Sequence, residues 1–119
     1  MKNIVFGMPS IIELDTLSEQ VSLCKELGLK FIELNMDLPR FNFEVIKAEK
    51  IRSISKNENI HFTLHLPENL NLCSFYSTLR EANLKVFTDT IYWAVNAGIT
   101  LLNLHINSGV YFTLPDRKE

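Results

Sequence analysis

Glycine is scarce in this chain of 119 residues, with four in all, and no glycine-rich loop follows any apolar run. A flavodoxin-like fold built around a phosphate-cradling loop is therefore disfavoured. Only two cysteines are present, Cys24 and Cys73. They are distant in sequence and form no CxxC pair, so they read as reduced thiols rather than as a metal or disulfide framework. No excess of either charge exists: the net charge is -2, and the basic residues are scattered. The chain thus lacks the electrostatic footprint of a nucleic-acid binder. No apolar run approaches the roughly 20 residues that span a bilayer, and Met1-Lys-Asn-Ile-Val-Phe-Gly7 has no signal-peptide layout. The expectation is a cytoplasmic protein of one globular domain over residues 1–119, its 46% of hydrophobic residues sufficing for a core.

What is present is a pair of matching apolar stretches. Ile60-His-Phe-Thr-Leu-His65-Leu-Pro and Leu101-Leu-Asn-Leu-His105-Ile-Asn-Ser-Gly109 each lead into a polar loop after a histidine. With a side-chain period of two, His61, Thr63 and His65 share one face of the first, against Phe62, Leu64 and Leu66. In the second, Leu101, Asn103 and His105 oppose Leu102, Leu104 and Ile106. Parallel neighbouring strands lie about 4.8 Å apart, so His65 and His105 would reach one ligand or one metal ion. The alternative is two histidines hydrogen-bonded in or near a core.

The rest of the chain repeats the same unit. Asn3–Phe6 reads as a first strand closed by Gly7. Thr16-Leu-Ser-Glu19 is a capping box that opens a helix through Val21, Cys24 and Leu27, with Gly28 as its stop. Phe31, Glu33 and Asn35 share a face of a second strand. Phe43, Ile46, Ile51 and Ile54 predict a helix from about Asn42 that dissolves in Lys56-Asn-Glu-Asn59. After the first histidine strand comes a long loop over residues 67–77, of the kind that tends to carry function. Thr78-Leu-Arg-Glu81 reads as a second capping box opening the longest helix, which stops at Gly98. Aligning Gly28 with Gly98 sets Glu33 on Asn103 and Asn35 on His105. Four strands alternating with three helices give an α/β fold with a parallel sheet, either open and doubly wound or part of a barrel. In both, ligands gather at the C-terminal strand ends, where Asn35, His65 and His105 are expected.

Glu33, set among apolar neighbours, must be paired to be tolerated. It could ligate a metal, act as a base or form a structural ion pair. Asn71, Asn107 and Ser108 are candidates for binding sugar hydroxyls, and Asn35 for the same role or for a turn. His61, at the far strand end, and Trp93 read as structural. Cys73 has no base beside it and is not read as a nucleophile.

In order and spacing, Gly28-Leu-Lys-Phe-Ile-Glu33-Leu, His65-Leu-Pro-Glu-Asn-Leu-Asn71-Leu and Ala97-Gly-Ile-Thr-Leu-Leu-Asn-Leu-His105 with Ser108-Gly109 resemble the xylose-isomerase-like TIM-barrel superfamily. That superfamily holds sugar and sugar-phosphate isomerases and epimerases and the endonuclease IV type of apurinic-site nucleases. The resemblance implies an eight-stranded barrel of which this chain carries the N-terminal half. It further implies a divalent metal (zinc, manganese or magnesium): in the nuclease branch His65 and His105 would be ligands to it, whereas in the sugar branch the metal is held mainly by the C-terminal half and Glu33, His65 and His105 would line the pocket for a sugar or sugar phosphate. The candidate site is accordingly His65 and His105 for metal, Glu33 as a catalytic group, and Asn35, Asn71, Asn107 and Ser108 for the substrate. In the nuclease branch proline and glycine tend to follow the second histidine. Here the loop reads His105-Ile-Asn-Ser-Gly109, which favours the sugar branch. A half barrel leaves two open sheet edges, so self-association into a homo-oligomer, with or without catalysis, is the competing expectation.

Overall fold

The computed structural model describes residues 2–107 and 109–116. Its elements alternate as β1 (Gly7–Pro9), α1 (Leu17–Glu26), β2 (Phe31–Asn35), α2 (Ala48–Glu58), β3 (His61–His65), α3 (Ser77–Ala97) and β4 (Leu102–Asn103). The sheet is parallel throughout, in the order β1-β2-β3-β4. Every crossover therefore steps one strand in the same direction. A doubly wound sheet reverses direction at a switch point, whereas a barrel does not. The strand order thus decides between the two architectures, and the described residues form a half barrel. Among them, no helix is long and apolar enough to cross a membrane.

Strand alternation divides the sheet cleanly. Ile32, Leu34, Phe62 and Leu64 are buried against the helices, while Phe31, Glu33, Asn35, Thr63 and His65 on the opposite face are only partly buried. The helices cover the apolar face with Leu17, Val21 and Cys24 from α1, Ala48 and Ile51 from α2, and Trp93, Ala94 and Ala97 from α3. Trp93 adds a buried bond, its Nε1–H donating to the carbonyl of Ile46 at 2.7 Å. The Thr16 capping box forms as the sequence predicts, and Gly28 follows α1 at a left-handed φ of 71°.

Four boundaries differ from the sequence expectations. β1 occupies Gly7–Pro9 rather than 3–6, because Gly7 pairs with Phe31 while Ile4, Val5 and Phe6 find no cover and stay exposed. α2 starts at Ala48 rather than near Asn42 and continues to Glu58. The Asn42 Oδ1 accepts from the Glu44 N–H at 3.0 Å, a local bond that competes with helix formation. α3 begins one residue before Thr78, with Tyr76 as N-cap and no side-chain capping bond, so the second capping box does not form. Instead Arg80 Nη1 reaches back to the carbonyls of Ser74 and Phe75, at 2.6 and 3.3 Å. Finally, β4 is two residues long, so His105 lies just beyond it.

Candidate functional site

β2 and β3 pair in full register, Glu33 beside Thr63 and Asn35 beside His65, and β3 continues onto β4 with His65 beside Asn103. His105 is two residues further along, about 6.6 Å of strand rise. The side chains span that offset: the imidazoles of His65 and His105 have centroids 4.8 Å apart and are tilted by 33°. The structure thus brings together the two histidines picked out from sequence, although their strands do not place them at equal height.

His65 is flanked by carboxylates at both ring nitrogens. Nδ1 lies 3.3 Å from Glu33 Oε1, and Nε2 lies 3.5 Å from Glu68 Oε1. An Nδ1–H donated to Glu33 makes Nε2 the bare lone-pair nitrogen of the neutral ring. Nε2 is buried and has no hydrogen-bond partner among the described residues, as is true of the Thr63 hydroxyl on the same face. A buried nitrogen with an unshared pair, beside a carboxylate and a second imidazole, has the chemistry of a metal ligand. The residues present therefore fit a divalent metal. His65, Glu68 and His105 each offer a donor atom, and the three atoms lie within 4.8 Å of one another.

Glu68 was not singled out from the sequence. It sits in an aperiodic loop, and its only signal is an acid three residues after His65 in His65-Leu-Pro-Glu68. Bonds between loops set its position. The Glu68 N–H donates to Asp37 Oδ2 at 3.0 Å, and the Asp37 N–H donates to Asn35 Oδ1 at 2.8 Å. The Asn35 side chain is thus engaged in a turn that presents Asp37 to the next loop. Asn107 Nδ2 donates to the carbonyl of Leu70 at 2.7 Å, tying the loop after β4 to the one after β3. Asn71 Oδ1 accepts from the Cys73 N–H at 3.0 Å. Asn71 and Asn107 line, with Glu68, Asn69, Gly109 and Val110, an open cleft of about 340 Å³. Ser108 lies outside the described residues.

That volume suits a small polar ligand. Two roomier hollows, of about 410 and 460 Å³, are lined around Arg40 and Phe41 and contain no histidine. Chemistry rather than volume therefore marks the site. His61, at the N-terminal end of β3, is exposed and remote from it in register.

A family model described as xylose isomerase-like TIM barrel matches residues 21–119, which include the latter part of α1, every element from β2 onward and all of the residues gathered here. No curated protein matches the chain.

Proposed function

The chain belongs to the xylose isomerase-like TIM barrel family, and from that premise we propose that it serves the metal-dependent isomerisation or epimerisation of a sugar or sugar phosphate. The observation that carries this reading is His65, oriented by Glu33 through Nδ1 and presenting a buried, unpartnered Nε2 beside His105. A divalent cation held by His65 and His105 would polarise the carbonyl and hydroxyl oxygens of the sugar and so lower the cost of the negative charge formed on proton loss. Glu33 holds His65 with one oxygen and takes the proton next to the carbonyl with the other. This is general base work for a carboxylate one strand away from the histidine it orients. Asn71 and Asn107 shape the cleft over the strand ends, and Asn35 acts through Asp37 on the loop that carries Glu68. The other half of the barrel wall would meet the open edge of β4, where Leu101 and Ile106 are exposed. A second copy of the chain is the occupant proposed here.

Solvent exchange tests this reading before any product is known. The protein is incubated in D2O with Mn²⁺, Zn²⁺ or Mg²⁺ and a panel of aldose and ketose phosphates, and NMR follows loss of the proton next to the carbonyl. The expected result is exchange by the native chain and a loss of ~100-fold or more in Glu33→Gln. Exchange that persists in Glu33→Gln, or its absence with every metal and sugar, would refute the reading. Cleavage of apurinic DNA without exchange would favour phosphodiester hydrolysis instead.

A further inference from the structure

The three donor atoms at the strand ends are more than the histidine pair expected from sequence, and the additional one comes from a loop within this half of the sheet. We infer that Glu68 is a third metal ligand, and that His65, Glu68 and His105 together hold one zinc-like transition-metal ion with a coordination position left open. The inference rests on the metal reading above and adds to it the ligand set and the class of metal.

Geometry is the first argument. Ligands bonded at 2.0–2.1 Å to a tetrahedral centre lie about 3.4 Å from one another. His65 Nε2 and Glu68 Oε1 are 3.5 Å apart, already at that spacing. The third donor lies within 4.8 Å of both, and His105 and Glu68 are both exposed side chains with freedom to close the remaining gap. The second argument is orientation. A ligand imidazole generally donates its other N–H to a carboxylate, which fixes the tautomer and increases the ring's donor strength. Glu33 occupies that position on His65 at 3.3 Å. The two carboxylates therefore have separate tasks, Glu33 at Nδ1 as orienter and Glu68 beside Nε2 as ligand.

The third argument is the backbone. Glu68 is not a freely waving loop residue, because its own N–H is fastened to Asp37, which is in turn held by Asn35. The loop is thereby fixed at the root of the side chain that would coordinate. Two imidazoles and one carboxylate form a borderline donor set, which selects zinc, cobalt or manganese over magnesium, an ion that prefers oxygen ligands and retains its waters.

Cobalt serves as the probe, since its visible ligand-field absorption reports coordination geometry independently of catalysis. The full chain is titrated with Co²⁺, with binding also followed by calorimetry and folding checked by circular dichroism. The expected result is one Co²⁺ per chain with the intense absorption of a four-coordinate ion, and little competition from Mg²⁺. Glu68→Gln should weaken binding by ~10-fold or more and alter the spectrum, while His65→Ala/His105→Ala should abolish both. If Glu68→Gln binds with native affinity and an unchanged spectrum, the inference falls and the histidine pair alone survives. If the native chain takes up no Co²⁺, or the double histidine variant still binds it, the metal reading falls as well. A pale, six-coordinate spectrum in the native chain would overturn the proposed ligand set.

Discussion

Replacing Gln20 probes how the loop between β1 and α1 is held. Gln20 is fully buried in α1, and its side chain acts as a surrogate peptide for Ile11: Oε1 accepts from the Ile11 N–H at 3.0 Å and Nε2 donates to the Ile11 carbonyl at 2.6 Å. A third contact, to the Leu14 carbonyl at 3.5 Å, is at the limit and adds little. Gln20→Met keeps the length and apolar volume but removes the bond to the Ile11 N–H and one of the two to its carbonyl, which still accepts from the Leu14 N–H at 3.2 Å. An unsatisfied buried polar group costs about 1–3 kcal/mol. One such group, the Ile11 N–H, together with the shorter bond lost at its carbonyl, and partly offset by burial of the thioether and by water reaching the half-buried Ile11, leads to an expected loss of about 1–2 kcal/mol. A chain of this length has a total stability of about 6–18 kcal/mol, so the loss is large enough to measure easily. Urea unfolding followed by the fluorescence of Trp93, the only tryptophan, should show a midpoint lowered by about 0.5–1 M for a slope of about 2 kcal/mol/M. Gln20→Glu should be worse than Gln20→Met, because a carboxylate cannot donate to the Ile11 carbonyl and brings a buried charge. A loss below about 0.5 kcal/mol in Gln20→Met, or the reverse order of the two variants, would refute the argument that hydrogen bonding rather than packing explains Gln20.

Three further expectations concern the sheet edge and the thiols. In Gly7→Ala the new methyl would meet the Phe31 ring at 2.4 Å, forcing that ring aside at a cost of about 1–3 kcal/mol; chemical denaturation should show this cost shrinking in a Phe31→Leu background, and equal costs in both backgrounds would exclude the clash as its cause. Cys73 is exposed and Cys24 buried, so an aromatic disulfide reagent should label one thiol quickly in the native chain and the second only on unfolding. Burial raises the Cys24 pKa above its ordinary 9.0, with Lys30 opposing. The folded state therefore holds this proton more tightly. The resulting stabilisation is complete below the unfolded value and is lost as pH rises through the folded one, so the alkaline fall in stability should be shallower in Cys24→Ala. Equal labelling rates for the two thiols would contradict the burial on which both expectations depend.

How far the chain could be read from its letters depended on whether a feature was local. The Thr16 capping box, the stop at Gly28 and the alternation of Phe62 and Leu64 against Thr63 and His65 need only neighbours in sequence, and the structure contains all of them. The first strand was misplaced because its position depends on a partner: only Gly7, lacking a side chain, can lie beside the Phe31 ring. The early start expected for α2 failed at Asn42, whose side chain bonds to the backbone of Glu44 and favours a turn despite the apolar spacing of Phe43 and Ile46. At the site, His65 and His105 were legible because each ends an apolar stretch. Glu68 was not, since loops have no periodicity and only the folded backbone shows that it reaches His65.

The two faces of the sheet also differ in what they do for stability. Ile32, Leu34 and Leu64 are fully buried on the helix side, where burial of such side chains contributes about 1.5–3 kcal/mol each. The other face instead carries the Thr63 hydroxyl and His65 Nε2, both buried and unpartnered, each costing about 1–3 kcal/mol. A chain selected only to fold would replace these with valine and leucine, which would suit a strand equally well. Their cost is borne at the strand ends, where the loops are cross-braced rather than packed. The Ser10 hydroxyl donates to the Glu33 carbonyl, Asn35 holds Asp37, Asp37 holds Glu68, and Asn107 holds Leu70. Such bracing fixes positions without filling the space above the histidines. Several asparagines that resemble ligand contacts in the sequence thus act one step back, setting the loops from which Glu68 and His105 reach His65.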